Sequence, residues 1–241
     1  MSHLIHKLYI TGSSSGIGRA LAEFALEKGH RVVGISRRQT IQHDRYTHVK
    51  ADLADLDQYV RFSFDNEQGI DSFVLVNNAG ALGDVKPVEQ LDPEKIDHAY
   101  RLNITAPSVL SRLFLRNTAR CGKPRTVLNI SSGAGSYPIP SWSTYCASKA
   151  AIDMFTRVLK LDHPDVHSFA VGPGIVDTEM QGEIRRQPEE FFPELQRFKD
   201  YKEAGELANP REIAQKLLHV LNHPGDYAED PCFSLRDVSP S

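Results

Sequence analysis

The stretch STYCASKAAIDMF, at residues 143 to 155, carries a phenol and an ammonium group four positions apart. Tyr145 and Lys149 would leave the same face of an α-helix, because four residues make about one turn, and their polar ends can approach each other. A positive charge beside a phenol favours the ionised form of the phenol. Packing plus a solvated charge explains most isolated pairs of this kind, so the chemical interpretation depends on the other motifs of the chain.

A second candidate site is a glycine-rich turn near the N-terminus. The predicted strand Leu8 to Thr11 runs into TGSSSGIGRALAEFALEKG, with glycines at positions 12, 16 and 18. A helix that opens directly from such a turn brings unpaired N–H groups and the positive end of its dipole to one point, which suits a pyrophosphate. A Cβ atom there would hold the phosphate oxygens away from the backbone. A plain tight turn is the alternative.

The composition argues against several classes of protein. The 241 residues are 40% hydrophobic and 24% charged, which is ordinary for a folded globular chain. A formal charge of -3 gives no general attraction to nucleic acid or to an anionic membrane, and the apolar runs are too short to cross a bilayer. The three cysteines are scattered, and the N-terminal segment lacks the apolar region of a secretory signal. We therefore expect a cytoplasmic protein without a metal site.

Short β-type runs alternate with longer stretches of helical periodicity. The predicted strands are Leu8 to Thr11, Arg31 to Ser36, Thr47 to Ala51, Phe73 to Asn77, Thr126 to Ser131 and Val166 to Gly172. The predicted helices are Gly16 to Lys28, Asp55 to Gln68, about Pro93 to Cys121, Trp142 to Asp162 and a last one from Pro210. This alternation predicts an α/β fold in which helices cover both faces of a parallel sheet.

The segment 177 to 209 interrupts this alternation. It is unusually charged and includes RRQPEEFFPELQRFKDYKEAGELA. An insertion beside the carboxyl edge of a sheet could serve as a substrate lid, and an inert surface excursion is the alternative.

Five motifs in order along the chain resemble the short-chain dehydrogenase/reductase family. They are TGxxxGxG at 11 to 18, NNAG at 77 to 80, Asn103, NISS at 129 to 132 and YCASK at 145 to 149. The resemblance extends from Leu8 to about Asp237. It implies that residues 1–241 form a single Rossmann-type domain, a doubly wound parallel sheet of about seven strands that binds a nicotinamide cofactor.

The end of the second predicted strand distinguishes the two nicotinamide cofactors. An acidic residue there would bind the ribose hydroxyls and repel a 2′-phosphate, whereas this strand ends in Ser36, Arg37 and Arg38. A guanidinium can pair bidentately with phosphate, so we expect NADPH. Solvated surface charges are the alternative, and Ser15 stands where many relatives that prefer NADPH have a basic residue. The resemblance implies these cofactor-binding residues: Gly12, Ser14, Gly16, Ile17, Gly18, Ser36, Arg37, Arg38, Asp52, Leu53, Asn78, Ala79, Gly80, Tyr145, Lys149, Pro173, Gly174, Val176 and Thr178.

The resemblance also implies four catalytic residues. Tyr145 would donate a proton to a substrate carbonyl while hydride reaches its carbon, and Lys149 would stabilise the tyrosinate left behind. Ser132 would hydrogen-bond the carbonyl oxygen, and Asn103 would hold a water that leads protons toward the lysine. A residue that satisfies backbone groups at a helix kink is the structural alternative for Asn103.

The energetics of the Tyr145–Lys149 pair depend on how dry its surroundings are. Lowering the pKa of a tyrosine by about three units requires roughly 4 kcal/mol. A unit charge about 4 Å away supplies that much at an effective dielectric constant near 20, but only about 1 kcal/mol in water. We therefore expect a partly dry site. A hydrolase is disfavoured because NISSGAG lacks the glycine two positions before the serine that a nucleophile elbow uses.

Two branches of the family resemble the chain most. NNAGALGDVKP, RTVLNISS and GPGIVDTEMQ are similar to both sepiapterin reductases and bacterial benzil reductases, and LQRFKDYKEAGEL is similar to the latter. Both branches reduce a carbonyl beside another carbonyl with NADPH. Sepiapterin reductases bind the pterin through a carboxylate near the C-terminus, where this chain has Ser234, and Asp237 could replace it only with a shifted register.

We therefore expect an NADPH-dependent carbonyl reductase that acts on a vicinal diketone, such as benzil, or a similar carbonyl compound. A pterin substrate is the first alternative, and an NADPH-binding redox-sensing regulator with little turnover is the second. Relatives associate through the two long helices, here about 93 to 121 and 142 to 162. We expect a homodimer, with a tetramer as the alternative, and no nucleic-acid or membrane partner.

Overall fold

The computed structural model describes residues 4–65 and 67–239, and within these ranges seven strands form one parallel sheet. The strands are β1 (His6–Thr11), β2 (Arg31–Ser36), β3 (Tyr46–Lys50), β4 (Ser72–Asn77), β5 (Arg125–Ile130), β6 (His167–Gly172) and β7 (Cys232–Ser234). Their order across the sheet is β3-β2-β1-β4-β5-β6-β7. The winding reverses between β1 and β4, and such a reversal opens a crevice at the carboxyl ends of the strands.

Helices cover both faces of this sheet. The α-helices of the described residues are α1 (Gly16–Glu27), α2 (Pro93–Tyr100), α3 (Ala106–Thr118), α4 (Ser143–Asp162), α5 (Glu179–Arg185), α6 (Leu195–Glu203) and α7 (Pro210–Asn222). On one face, Leu21 of α1 and Leu217 of α7 belong to one apolar cluster. On the other face, Leu110 of α3 and Leu159 of α4 belong to a second. Every residue of β1 and β4 is buried, as in parallel strands covered on both faces, and the predicted fold class is confirmed.

The predicted helix from Asp55 to Gln68 is wrong. The chain forms one 3₁₀ turn at Leu56–Gln58 and continues in irregular conformation, and Asn66 of this stretch lies outside the described residues. Phe64 lies edge-on to Tyr9, with ring centroids 4.7 Å apart. Its backbone N–H donates to Oδ1 of Asn117, a residue of α3, at 3.0 Å. Aromatic packing and a side-chain acceptor therefore replace the helical hydrogen bonds that the apolar spacing had predicted.

The predicted helix from Pro93 to Cys121 is interrupted. A π-helical turn at Arg101–Thr105 separates α2 from α3, and α3 ends at Thr118. Turns of this kind are rare and occur frequently at functional sites. Asn103 lies at the centre of the turn.

Among residues 4–65 and 67–239, no helix is both long and apolar enough to span a bilayer. The described side chains also contain no group of three or more histidines, cysteines, aspartates and glutamates arranged to bind a metal ion.

Candidate active site

The carboxyl ends of the strands form the floor of a cleft of about 1400 Å³. The segments after β1, β2, β4, β5 and β6 all contribute to its lining. Of the residues expected to bind cofactor or substrate, all but Gly18 and Asn103 line this cleft, and those two lie behind its wall. Motifs separated by more than a hundred residues therefore meet in one site.

The turn between β1 and α1 has the backbone that a pyrophosphate site requires. Gly12 and Gly16 have φ angles of +67° and +53°, a region that residues with a Cβ atom rarely adopt. A Cβ on Gly18 would lie 2.3 Å from Asn78 Nδ2 and 2.5 Å from Gly12 O. The N-terminus of α1 thus opens onto the cleft through a turn that only glycines can form, and the turn fits the diphosphate of a dinucleotide.

Thr11 ties this turn to the neighbouring strand. Its hydroxyl oxygen accepts hydrogen bonds from the N–H groups of Asn78 and Ala79, both at 2.9 Å. The Asn78 side chain donates in return to the Thr11 carbonyl oxygen at 2.9 Å. Sequence reasoning did not identify Thr11 as a site residue, although it is the first residue of the TGxxxGxG motif. The hydrogen bonds fix the two strand ends at the point where the winding of the sheet reverses.

Two arginines follow β2 at one end of the cleft. Arg37 and Arg38 are exposed and line it, together with Ser14 and Asp52. The Ser36 hydroxyl donates to the Arg38 carbonyl oxygen at 2.8 Å, which fixes the backbone that carries the guanidinium groups. This end of the cleft is cationic and open to solvent.

The segment after β6 reaches the same turn from the other side. Pro173, Gly174 and Val176 line the cleft. A Cβ on Gly16 would lie 3.3 Å from the Thr178 methyl group, so Thr178 sits directly against the glycine-rich turn. These residues fit the nicotinamide half of a dinucleotide whose diphosphate occupies the turn.

Tyr145 and Lys149 lie in the first turns of α4 and are both buried, with 8% and 7% of their surfaces exposed. The Lys149 Nζ lies 5.5 Å from the centroid of the Tyr145 ring and donates to the Ile130 carbonyl oxygen at 2.8 Å. The two residues project to the same face of the helix, at the end of β5.

Burial controls the protonation of this pair. Burial raises the pKa of Tyr145 to about 12, and a hydrogen bond with Ser132 acts in the opposite direction. Burial also lowers the pKa of Lys149 to about 8, against the attraction of Asp153. From the sequence, the charge of Lys149 is expected to lower the pKa of Tyr145. In the structure, burial is the largest influence on that pKa, and it raises it. Tyr145 therefore keeps its proton near neutral pH, as a proton donor must.

Ser132 belongs to the turn that follows β5. Its hydroxyl oxygen accepts from the Ala134 N–H at 3.2 Å and caps the short 3₁₀ helix Gly133–Gly135. The Ser132 hydroxyl lies near enough to the Tyr145 hydroxyl to lower the pKa of Tyr145, and both residues line the cleft. A carbonyl oxygen placed between them would meet two donors.

Asn103 binds the backbone of the loop that follows β4, next to Lys149. Its Oδ1 accepts from the Ala81 N–H at 2.9 Å, and its Nδ2 donates to the Ala81 carbonyl oxygen at 2.8 Å and to the Ser148 hydroxyl at 3.0 Å. A Cβ on Gly80 would lie 3.3 Å from Asn103 Oδ1 and 3.9 Å from Lys149 Nζ. The π-helical turn thus aims Asn103 at the loop that follows β4 and at α4, beside the lysine.

The opposite wall of the cleft is aromatic. Trp142 lies edge-on to Tyr145, with ring centroids 5.5 Å apart, and stacks on Phe192 at the same distance. Phe198 lies 5.4 Å from the same indole ring. Sequence reasoning missed Trp142 as a site residue, although its position one turn before Tyr145 on the same helix face was a usable signal.

The segment 177–209 supplies this wall through α5 and α6. Its two ends meet, because the Asp177 N–H donates to the Ala208 carbonyl oxygen at 3.0 Å. An ion pair between Lys202 Nζ and Asp177 Oδ2 at 2.7 Å closes the same loop. The segment therefore forms a loop whose first and last residues are adjacent beside the cleft.

Known proteins share this fold and these motifs. The family model described as short chain dehydrogenase matches residues 6–189. The chain belongs to the short-chain dehydrogenase family. It is 39% identical to a benzil reductase ((S)-benzoin forming) of Bacillus subtilis over 226 residues, which cover 89% of this chain and 93% of that protein. It is 34% identical to the sepiapterin reductase of Bos taurus over 238 residues, 89% of this chain and 88% of that one.

A solved structure extends the comparison to the fold. A short chain dehydrogenase/reductase from Saccharomyces cerevisiae superposes with a TM-score of 0.82 at 27% identity, covering 97% of this chain and 96% of that one. As a member of the short-chain dehydrogenase family, the protein is an oxidoreductase that uses a nicotinamide cofactor. The glycine-rich turn and its flanking strand ends fit such a dinucleotide. The predicted family and branch are confirmed.

Proposed function

We propose that this oxidoreductase is an NADPH-dependent carbonyl reductase that reduces a vicinal diketone, such as benzil, to a hydroxy ketone. The observation that carries the proposal is that Tyr145 and Ser132 line the same cleft as the glycine-rich turn, close enough for Ser132 to lower the pKa of Tyr145. A carbonyl compound that enters the cleft meets two hydroxyl donors, in the same cleft as the residues that fit the nicotinamide half of the cofactor.

Each residue of the site has a defined task in this reaction. The bound cofactor supplies the hydride. Ser132 donates a hydrogen bond to the carbonyl oxygen, and Tyr145 delivers its proton to the oxygen as negative charge develops there. The tyrosinate that remains is stabilised by the hydrogen bond with Ser132 and by the positive charge of Lys149, which acts in a site shielded from water.

The aromatic wall favours a diketone with aromatic substituents. Trp142 and Phe198 line the cleft beside Tyr145, and the buried Phe192 supports the indole ring from behind. Aromatic pairs contribute about 0.5–1.5 kcal/mol beyond the burial of area. The Bacillus subtilis relative is named for benzil, a diketone with two phenyl groups. In this proposal the segment 177–209 is a substrate lid.

A pterin substrate is the second candidate, favoured by the 34% identity with the bovine sepiapterin reductase. The cleft weighs against it. Ser234 and Arg236 line the cleft near the C-terminus, and Asp237 is not among its lining residues. Ser234 caps the following turn by accepting from the Arg236 N–H at 3.2 Å. Ser234 cannot replace the carboxylate that would bind the donor-rich edge of a pterin, and the nearby Arg236 guanidinium would repel that edge.

A substrate panel tests the proposal. NADPH oxidation should be rapid with benzil and 1-phenyl-1,2-propanedione, and slow with sepiapterin. Faster turnover of sepiapterin would identify the pterin as the substrate. Tight NADPH binding without turnover of any carbonyl compound would instead favour the redox-sensing regulator.

The preference for NADPH is assigned to the two arginines after β2. Exchanging Arg37 and Arg38 together for alanine is expected to weaken NADPH binding by about 10- to 100-fold, because charge-assisted bonds to a phosphate contribute about 1.5–3 kcal/mol. NADH binding should stay nearly constant, since NADH lacks the 2′-phosphate. Titration of both cofactors by fluorescence checks this, with Arg120→Ala as a control on a remote surface. An equal loss for both cofactors would contradict the assignment.

We further propose a homodimer formed through α3 and α4. Met154, Val158 and Leu161 of α4 are exposed apolar side chains, and Leu161 leaves 80% of its surface in solvent. Light scattering is expected to give about twice the chain mass of 26.9 kDa, and Leu161→Glu is expected to lower it. A mass of one chain at micromolar concentration would contradict the dimer, and a fourfold mass would favour the tetramer.

A further inference from the structure

Asp153 is a buried carboxyl group beside the catalytic pair, and the reaction described above does not use it. It lies on α4 one turn after Lys149 and two turns after Tyr145, and only 8% of its surface is exposed. Charged residues are rarely buried to this extent unless they are paired. Asp153 also lines the cleft.

The surroundings of Asp153 are shaped to accept it. The Ser131 hydroxyl donates to Asp153 Oδ1 at 2.5 Å. A Cβ on Gly135 would lie 2.7 Å from Asp153 Oδ2 and 3.0 Å from the carbonyl carbon of Lys149. The turn after β5 therefore has a glycine at the one point where a side chain would collide with the carboxylate and with the backbone of the catalytic lysine.

Ser131 connects this carboxylate to both members of the pair. The preceding residue, Ile130, accepts the hydrogen bond from Lys149 Nζ at 2.8 Å. The following residue, Ser132, acts on Tyr145 and lowers its pKa. A group that fixes Ser131 thus fixes the backbone on which both catalytic side chains depend.

The charges around Asp153 come from two elements. Burial raises the pKa of Asp153, and the Ser131 hydroxyl together with the Arg157 and Lys149 charges of α4 acts in the opposite direction. From the β7 region, Asp230 repels the carboxylate. Burial, assisted by the Asp153 carboxylate, raises the pKa of the Cys232 thiol to about 11. Arg157 is exposed, whereas Lys149 is buried. Asp153 is therefore the negative charge that acts on the Lys149 ammonium inside the dry part of the site.

We propose that Asp153 is a positioning residue that acts through Lys149: its carboxylate keeps the buried ammonium charged and, through Ser131, holds the end of β5 against the catalytic pair. The inference rests on the proposed function for its kinetic consequence, namely that Asp153 sets the upper pH limit of turnover.

The test compares Asp153→Asn with the wild type in two measurements. Asparagine keeps the shape and can still accept from Ser131, but it lacks the charge. The first measurement follows Lys149 directly, by NMR titration of the full-length protein labelled with ¹³C at lysine Cε, with the signal assigned by its absence in Lys149→Met. Loss of a neighbouring negative charge disfavours the ammonium, so the Lys149 midpoint is expected to fall by about one pH unit.

The second measurement is the pH profile of kcat/KM for benzil at saturating NADPH, which reports the enzyme before benzil binds. Its alkaline limb is expected to move down by the same amount, so that the variant is about threefold slower near pH 7.5 and equal to the wild type near pH 6. Asp162→Asn, an exposed carboxylate on the same helix, is the matched control and should leave both midpoints unchanged.

The outcomes separate this inference from the proposed function. An unchanged Lys149 midpoint in Asp153→Asn would overturn it, and so would a rate that falls equally at every pH, which indicates a purely structural role. A shifted midpoint in a protein that reduces no carbonyl compound would uphold the inference and refute the proposed function. Should Asp153→Asn fail to fold, Asp153→Ala carries the same expectation for the titration.

Discussion

Tyr145→Phe is expected to lower kcat by about 10²- to 10⁴-fold, the range that a general acid contributes. The variant loses only the hydroxyl group, and the ring keeps its edge-on contact with Trp142. Since the proposed task of the hydroxyl is to transfer a proton to the substrate, NADPH affinity should be largely unchanged. Steady-state rates with benzil and a fluorescence titration of NADPH measure the two quantities separately.

Tyr227→Phe is the control for the loss of a hydroxyl group as such. Tyr227 stacks on Phe233 and does not line the cleft, so its variant should keep normal rates. A near-normal rate for Tyr145→Phe would refute the assignment of Tyr145 as proton donor. A large loss of NADPH affinity in that variant would move the role of Tyr145 from chemistry to cofactor binding.

Lys149→Met is expected to abolish turnover and to stabilise the protein. The pKa of Lys149 falls from 10.5 to about 8, so at neutral pH the folded protein holds the ammonium at a cost of ~3 kcal/mol. Methionine removes this cost. It also removes the hydrogen bond to the Ile130 carbonyl oxygen and the attraction between the ammonium and the Asp153 carboxylate. We expect a net gain of about 1–2 kcal/mol in the free energy of unfolding at pH 7.

The pH dependence of stability identifies the cause. Between about pH 8 and pH 10.5 the unfolded chain keeps a proton on Lys149 that the folded protein has released, so the wild type gains stability as pH rises through this window. The variant lacks this gain, and its advantage should shrink by pH 10. Urea unfolding at pH 7 and pH 10 measures it, with Lys123→Met, at an exposed position, as control. A variant that is less stable at both pH values would contradict the buried charge.

Parallel strands were predictable because burial on both faces produces continuous apolar runs. Phe73 to Asn77 is such a run, and the structure extends it by one residue, to Ser72. The stretch from Asp55 to Gln68 shows where periodicity fails. Its apolar residues suggest helical spacing, but Phe64 is held by Tyr9 and Phe114, which are distant in sequence. β7 was missed because Cys232–Ser234 is three residues long and shows no periodicity.

Site residues were predictable where the spacing of a motif fixes their positions. They were unpredictable where packing between distant segments determines their contacts. The proximity of Tyr145, Ser132 and the glycine-rich turn was predictable, because parallel strands present their carboxyl ends at one edge of the sheet. It could not reveal that Lys149 donates to Ile130 O, since that contact depends on the packing of α4 against β5. The same helix makes Asp153, an ordinary helical residue in the sequence, a neighbour of Lys149, the proposed catalytic lysine.

The position of Trp142 makes the protein its own optical reporter. It is the single tryptophan of the chain. Its indole lies edge-on to Tyr145 on one side and contacts Phe192 and Phe198 of the segment 177–209 on the other. Any displacement of that segment changes the polarity and quenching around a lone emitter, so intrinsic emission follows its movement without an added dye.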